Sequence, residues 1–214
     1  MNQRAYYPLF ADLTGRRCVV IGGGVVAQRK VTALLRCRAH VMVVSPEATA
    51  RLARYARAGE IVHHARRFRP ADLRGAWLVY AATDDPQTNG LVFRTATRRR
   101  IFTNVVDQPQ RCSFIAPAIA RRGEVVIAVS TGGRSPTLAK TLRREVQRLI
   151  GGDYAAMLRL LGSLRAVAKR RLPLYDDRKR YFARLVQGRV FDLVRRGRRG
   201  AARREALRML ENGR

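Results

Sequence analysis

The chain has 214 residues, of which 47% are hydrophobic, so it is long enough to bury the core of one large domain or of two smaller ones. No stretch reaches the ~18 consecutive apolar residues that a membrane span requires. Lysine and arginine number 44 against 15 acidic residues, a net charge of +29, and all but four of these bases are arginine.

A charge of this size favours an anionic partner, which could be a nucleic acid, an anionic lipid or a small polycarboxylate. An excess of arginine can also come from genome composition. The charge alone therefore does not distinguish among these partners. Cys18, Cys37 and Cys112 lie far apart, and the three histidines have no metal-ligand spacing, which argues against disulfides and against a metal site. The N-terminus has no signal-sequence pattern, and we expect a cytoplasmic protein.

A glycine-rich stretch follows the first predicted strand. Residues 18–21 are apolar and mostly β-branched, which is typical of a buried strand, and a helix is predicted over Val25–Arg36. Between them, Gly22, Gly24 and Ala27 match the G-x-G-x-x-A fingerprint of dinucleotide-binding folds. The first glycine would make the tight turn, the second would admit a pyrophosphate to the backbone, and the alanine would let the helix pack closely. We predict dinucleotide binding here; a glycine-rich turn without a ligand is the alternative.

The end of the second predicted strand, His40–Val44, bears on the choice of cofactor. An acidic residue at this point ordinarily holds the ribose hydroxyls of NAD. Here Ser45 stands first and Glu47 is the nearest carboxylate, while Arg51 would suit the 2′-phosphate of NADP. We favour NAD, with Glu47 at the ribose; an acidic residue in the first turn of the next helix is its alternative role.

Strands and helices continue to alternate up to about residue 112. The remaining elements predicted here are helices over residues 49–58 and 86–98, the second capped by an aspartate, and strands over residues 61–63, 77–81 and 101–106. Five strands with intervening helices predict an α/β fold with a Rossmann-like, doubly wound parallel sheet, and we assign residues 1–112 to an NAD-binding domain. Asp107 follows the fifth strand, at the edge where such sheets bind ligands, although a simple turn residue is the alternative.

The pattern changes after residue 112. Residues 114–119 and 125–130 are apolar runs that predict an antiparallel hairpin, and Ser135 is expected to cap a helix running from Pro136 to about Ile150. Both strands are apolar on both faces and are too small to bury them alone. We therefore predict that residues 113–150 form a dimerisation segment of a homodimer; the alternative is a monomer whose basic tail helices cover the second face.

Residues 151–214 are predicted to form a small helical C-terminal domain. A leucine-rich stripe at helical spacing is expected to be core, and Pro173 ends the first helix. Asp176 or Asp177 is expected to cap the next helix, and a last short helix follows Gly197 and Gly200.

Several short stretches resemble the siroheme synthase family when they are taken together. They are GGGVVAQRK at 22–30, AATDD at 81–85, NVVD at 104–107, SFI at 113–115 and STGGRSP at 130–136. The likeness is to the precorrin-2 dehydrogenase part, in a stand-alone form without the methyltransferase domain of some members. It implies oxidation of precorrin-2 to sirohydrochlorin with NAD as hydride acceptor. Some members then insert ferrous iron, and the sequence leaves open whether this chain does so.

The resemblance also implies roles for individual residues. Asp107 matches the family's general acid/base, and no residue matches a resident metal ligand. The implied cofactor-binding residues are Gly22, Gly24, Val25, Val26, Ala27, Pro46, Glu47, Thr83 and Asp84. The implied substrate and site-loop residues are Asn104, Ser113, Thr131, Gly132 and Ser135, of which Thr131 stands where family members often have serine.

Two other classes of function compete with this interpretation. A nucleic-acid-binding protein would use the basic tail, but aromatic residues do not alternate with the basic runs and no nucleic-acid motif occurs. A non-catalytic NAD-sensing module would leave the stretches at 104–107 and 130–136 without a purpose. A small polycarboxylate tetrapyrrole explains the positive charge because arginine binds carboxylates through two parallel hydrogen bonds. We therefore expect no specific nucleic acid and no membrane as partners.

Overall fold

A computed structural model describes residues 5–211 of the chain. The chain divides into two compact units, Met1–Ala116 and Pro117–Arg214. The hairpin, its helix and the tail helices all belong to the second unit. The predicted division into residues 1–112, 113–150 and 151–214 stays a prediction.

The first unit contains a five-stranded parallel sheet with the strand order β3-β2-β1-β4-β5. Its elements are β1 (Arg17–Ile21), α1 (Val25–Arg36), β2 (His40–Val44), α2 (Ala50–Arg57), β3 (Ile61–His64), a 3₁₀ turn (Pro70–Leu73), β4 (Leu78–Ala81), α3 (Pro86–Arg98), β5 (Phe102–Val105) and a second 3₁₀ turn (Pro109–Arg111). The predicted Rossmann-like sheet is confirmed. Its strand order reverses between β1 and β4, and open α/β sheets bind their ligands in the crevice at such a point.

Both faces of this sheet are covered, which explains the continuous apolar character of β1. Val20 faces the cluster formed with Val31 of α1 and Leu52 of α2. Val19 faces the opposite cluster, which includes Val92 of α3. A parallel strand that is buried on both sides has no solvated face, so its side chains need not alternate in polarity.

The predicted strand over residues 114–119 is wrong in its first four residues. β6 begins only at Ala118, directly after Pro117, whose ring nitrogen carries no hydrogen to donate to a β-ladder. Phe114 instead packs in the first unit, with its ring centroid 5.5 Å from that of Tyr80 and 6.4 Å from that of Phe102. Phe114, which is predicted in the hairpin, therefore packs against the core of the first unit.

The second unit contains a hairpin and five helices among the described residues. Its elements are β6 (Ala118–Arg122), β7 (Val125–Val129), α4 (Pro136–Leu149), α5 (Gly152–Arg171), α6 (Tyr175–Gln187), α7 (Arg189–Arg195) and α8 (Arg199–Glu211). β6 and β7 pair antiparallel across a two-residue turn, where Gly123 has φ +60° as such tight turns require.

The tail helices differ from the prediction at two points. The N-cap of α6 is Leu174, and Asp176 and Asp177 lie inside its first turn, where a carboxylate is favoured by the positive end of the helix dipole. In addition, Gly188 separates α6 from α7, a break that the sequence did not predict. Leu164 and Tyr181 are buried in the helical core as expected of an apolar stripe. Within residues 5–211, none of the helices is long and apolar enough to cross a membrane.

Candidate functional site

Gly22 makes the tight turn out of β1, as predicted. Its φ is +118°, and a Cβ at this position would overlap the carbonyl oxygen of Ala82. Its N–H donates to the carbonyl of Val44, at 3.0 Å. The glycine is therefore wedged between the ends of β2 and β4, and no other residue type fits without moving the backbone.

Gly23 is a site residue that the fingerprint did not include, because the motif leaves its second position free. A Cβ here would overlap the carbonyl oxygen of Glu47 and would lie 2.8 Å from Oγ of Ser45. The Gly23 carbonyl accepts a hydrogen bond from the N–H of Thr49, at 3.0 Å. The loop after β2 is thus packed directly on the glycine loop. The run of three glycines was the sequence signal for this close approach.

Gly24 leaves space open above the start of α1. No atom lies within 4 Å of the point where its Cβ would be, and it forms the N-cap of α1 without a side-chain hydrogen bond. Val25 is 64% exposed in the first turn, Val26 is half-buried, and Ala27 is fully buried against the sheet. These residues fit a dinucleotide, because the helix offers free N–H groups at a gap that a pyrophosphate can enter.

The ribose end of the loop presents one carboxylate. Ser45 is buried, whereas Pro46 and Glu47 are exposed beside the glycine loop. Arg51, the residue that would suit a 2′-phosphate, is engaged elsewhere: its Nε donates to the Tyr55 hydroxyl at 3.0 Å. The guanidinium of Arg51 is therefore held against its own helix.

Thr83 and Asp84 follow β4 on the other side of the crevice. The Thr83 hydroxyl donates to Oδ1 of Asn89 at 2.9 Å and accepts from the N–H of Asp85 at 3.2 Å, so it orders the start of α3. The predicted aspartate cap is Asp85, whose carboxylate accepts from the N–H of Gln87 at 2.9 Å. Asp84 is exposed. Thr83 thus shapes this edge of the crevice, and its predicted contact with the cofactor stays a prediction.

Asp107 lies in a turn directly after β5, with its side chain exposed. The N–H of Gln108 donates to the Val105 carbonyl at 3.2 Å, and Asp107 has φ +57°. Sγ of the buried Cys112 donates to the same carbonyl, also at 3.2 Å, and so stabilises the turn. Arg38 and Arg100 share this conformation, with φ of +56° each, and aspartate adopts it more readily than most residue types, so the backbone angle marks a turn. Asp107 is therefore a turn residue, and its exposed carboxylate stands at the edge of the sheet where such folds bind ligands.

The neighbouring predicted residues Asn104 and Ser113 have supporting contacts. Nδ2 of Asn104 donates to the Phe114 carbonyl at 3.0 Å. Oγ of Ser113 accepts from the N–H of Thr103 at 2.7 Å, and the N–H of Ser113 donates to the carbonyl of Thr103 at 2.8 Å. Together they fasten the segment after Asp107 to the edge strand β5. Direct contact of either side chain with substrate stays a prediction.

The remaining predicted residues lie in the second unit, in the loop between β7 and α4. The Thr131 hydroxyl donates to the Ser135 carbonyl at 3.0 Å and accepts from the Ser135 N–H at 3.2 Å. Gly132 has φ +63°. Oγ of Ser135 accepts from the N–H of Leu138 at 3.1 Å, which confirms the predicted helix cap. The predicted site residues are thus divided between the two units. Within residues 5–211, no group of three or more acidic, histidine or cysteine side chains could hold a metal ion.

A Rossmann-like sheet with an open glycine loop at its switch point defines a dinucleotide-binding protein. In agreement, residues 9–118 match the family model for NAD(P)-binding domains. Residues 122–149 match the model for the central part of a sirohaem biosynthesis protein, and residues 153–210 match the model for the sirohaem synthase dimerisation region. The chain belongs to the siroheme synthase family. The predicted family and a nicotinamide dinucleotide as cofactor are therefore confirmed.

Curated relatives support the same assignment. The siroheme synthase of Thioalkalivibrio sulfidiphilus is 41% identical over 208 residues, which are 97% of this chain and 42% of the relative. Siroheme synthase 1 of Pectobacterium atrosepticum is 40% identical over 97% of this chain and 43% of its own length. The chain thus spans less than half the length of these relatives. Among solved structures, the precorrin-2 dehydrogenase SirC shares the fold, with a TM-score of 0.78, 22% identity and coverage of 96% of this chain and 99% of SirC.

The name of one family model bears on the dimer prediction. The predicted dimerisation segment, residues 113–150, overlaps the model for the central part, whereas the model named for dimerisation covers residues 153–210. Both models fall in the second unit.

Proposed function

We propose that this chain catalyses the NAD-dependent oxidation of precorrin-2 to sirohydrochlorin. The observation that carries the proposal is an exposed carboxylate, Asp107, at the carboxyl end of β5 in a sheet whose glycine loop is open for a dinucleotide. The relatives are siroheme synthases, and the structural neighbour is named as a precorrin-2 dehydrogenase.

The reaction removes two electrons and two hydrogens from the macrocycle. When NAD is bound, it accepts one hydrogen as hydride. The Asp107 carboxylate oxygen takes the other as a proton and passes it to water. The loop at Gly22 and Gly24 and the start of α1 bind the pyrophosphate and so fix the position of the cofactor. The turn braced by Cys112 holds the carboxylate.

NAD is favoured over NADP by the residues after β2. Glu47 is exposed beside the glycine loop, where a carboxylate accepts hydrogen bonds from the ribose hydroxyls. The guanidinium that would neutralise a 2′-phosphate, Arg51, is bound to Tyr55. A 2′-phosphate at this point would therefore be repelled by the Glu47 carboxylate.

The proposal extends to a second substrate, an assembly and a location. The relatives are named for siroheme, the iron-containing product, so we include ferrous iron as a further substrate, with Asp107 accepting the pyrrole protons that iron replaces. A homodimer is proposed because the chain matches a dimerisation region. The negative charges of the polycarboxylate substrate complement the net charge of +29. The predicted location is the cytoplasm.

An absorbance assay tests the proposed reaction. Purified protein with precorrin-2 and NAD should yield a more conjugated, coloured product, and Asp107→Asn should lower the rate roughly 10²–10⁴-fold because it keeps the shape and removes the base. Calorimetry provides the control, since the variant should bind NAD as the wild type does. A rate within about twofold of the wild type would make Asp107 only a turn residue. Binding of NAD without any turnover by the wild type would favour a regulatory module instead.

A further inference from the structure

Lys30 differs from the other lysines of this chain. Lys140, Lys169 and Lys179 are exposed, whereas Lys30 is half-buried on α1. Its Nζ lies 4.9 Å from the centroid of the Tyr80 ring, above the ring face. None of the ion pairs found within residues 5–211 includes Lys30. The ammonium has therefore lost part of its water and gains a cation–π contact in return.

Lys30 stands on the flank of α1 that overhangs β4. The opposite flank of the helix carries Gln28, whose Oε1 accepts from the Thr49 hydroxyl at 2.8 Å, next to α2. Tyr80, beneath Lys30, pairs in register with Asn104 of β5, and Asp107 lies three residues beyond Asn104. Lys30 thus lies over β4, next to the strand whose carboxyl end leads to the proposed general base.

The Tyr80 ring, against which Lys30 packs, is held in place by its neighbours. The Phe114 ring meets the Tyr80 ring edge-on at 5.5 Å, and the Phe114 carbonyl is held by Nδ2 of Asn104 at 3.0 Å. Burial raises the pKa of Tyr80 to about 12, so the ring stays neutral below that pH. The ammonium therefore rests on a rigid, uncharged surface.

The charges around Lys30 also point to a missing anion. Burial and the neighbouring Arg29 lower the pKa of Lys30, while Cys112 and Asp107 act in the opposite direction. None of the ion pairs within the described residues joins Asp107 to this ammonium. A partly desolvated cation that lacks a direct counter-charge is stabilised most by a ligand that brings one.

We propose that Lys30 binds a carboxylate of the tetrapyrrole substrate at the edge of the crevice beside Asp107. This inference rests on the proposed function. The ammonium would offset the repulsion between the substrate carboxylates and Asp107, and it would hold the rim of the macrocycle so that the oxidised ring faces the base. The role belongs to substrate binding, so it affects KM more than kcat.

Two variants test the role of Lys30 in the full chain. Lys30→Met removes the charge and keeps a long stem, so KM for precorrin-2 should rise about tenfold or more while kcat stays within about threefold. Lys30→Arg should recover most of the loss because it restores the charge. Affinity for NAD, measured by calorimetry, should be unchanged in both variants.

The matched control is Arg29→Met, which removes an exposed positive charge one residue away. It should leave KM within about twofold of the wild type. Equal effects of Arg29→Met and Lys30→Met would reduce the role to general surface charge and overturn the inference. An unchanged KM with a lower Tm in Lys30→Met would overturn it too, because the cation–π contact would then be purely structural.

The alkaline limb of the pH profile gives an independent readout. Lys30 contacts Tyr80 on β4, and the charged or titratable groups that act on it are Arg29 on its own helix and Cys112 and Asp107 after β5. In the wild type, KM should rise as pH passes through the lowered pKa of Lys30, since the ammonium loses its charge. Lys30→Arg should show no such rise below pH ~12, because a guanidinium does not titrate there. Identical profiles would contradict the inference.

Fluorescence titration with sirohydrochlorin, which needs no turnover, separates failure of the inference from failure of the proposed function. Wild-type protein should bind this tetrapyrrole about tenfold more tightly than Lys30→Met does. If both bind it equally, the role of Lys30 is wrong and the proposed function stands. If the wild type neither binds the tetrapyrrole nor oxidises precorrin-2, the proposed function falls and the inference falls with it.

Discussion

At the scale of single residues, the three consecutive glycines of the cofactor loop have three different surroundings. Gly22 and Gly23 are pressed against the carbonyl oxygens of Ala82 and Glu47, whereas Gly24 borders open space. The first two are therefore required by the protein's own backbone, whereas the predicted role of the third is to admit the pyrophosphate. The fingerprint allows any residue at the position of Gly23, but a Cβ at this position would overlap the backbone of Glu47.

The glycine loop therefore allows folding and binding to be separated by mutation. Gly23→Ala should destabilise the protein by about 1–3 kcal/mol, because the new methyl group overlaps the Glu47 backbone. Gly24→Val should leave Tm nearly unchanged, since its side chain enters open space, and should abolish NAD binding in calorimetry. Loss of NAD binding only in Gly23→Ala, with normal binding in Gly24→Val, would contradict the location of the pyrophosphate.

At the scale of elements, local signals predicted what local interactions determine. Helix α1 runs over Val25–Arg36 as predicted, because the glycine loop sets its start and the apolar spacing sets its length. The caps by Asp85 and Ser135 were also predictable, since a short polar side chain before a proline needs only its own helix. The fold class followed from the order of strands and helices.

The structural features that the sequence did not predict depend on contacts between residues far apart in the chain. Phe114 reads as the start of a strand but packs on Tyr80, more than 30 residues earlier in the chain. Gly23 contacts the loop after β2, which no motif at the glycines records. The closeness of Lys30 to Tyr80 depends on the crossing of α1 over β4, which only the folded sheet defines. A pattern in one segment cannot report which distant segment it meets.

The loop before β4 shows how one buried carboxylate orders an element. Asp72 is 7% exposed, and its Oδ2 accepts from Nη1 of Arg66 at 2.9 Å and from the N–H of Arg69 at 2.8 Å. Its Oδ1 accepts a second bond from Arg66, at 2.6 Å. The Arg66 guanidinium therefore holds the pKa of Asp72 below its usual range.

The lowered pKa of Asp72 predicts a specific acid sensitivity. Its contribution to stability is fully present above the pKa of an unfolded aspartate and is lost as pH falls through the lower folded pKa. Asp72→Asn should cost about 1.5–3 kcal/mol at pH 6, measured by urea unfolding, and this difference should shrink below pH ~3. The exposed Asp176→Asn is the control and should change little at pH 6. A pH-independent cost of Asp72→Asn would contradict the charged hydrogen bonds as its source.

At the scale of the whole molecule, the hairpin presents two unlike faces. Ala120 is fully buried, and its cross-strand partner Ile127 shares that covered face. Ile119, which is 40% exposed, and its partner Ala128 point to the opposite face. The sequence alone does not distinguish these faces, because both are apolar. The structure therefore selects Ile119, and not Ile127, for a test of the predicted dimer.

Light scattering at micromolar concentration should give a mass about twice the 24.2 kDa of the chain. Ile119→Arg should yield a folded monomer, because it adds charge to an exposed apolar face without entering the covered core. Leu174→Arg is the matched variant in the region that the family model names for dimerisation; Leu174 is 66% exposed. A monomer formed only by Leu174→Arg would move the interface to residues 153–210. A wild-type mass near that of one chain would contradict the homodimer.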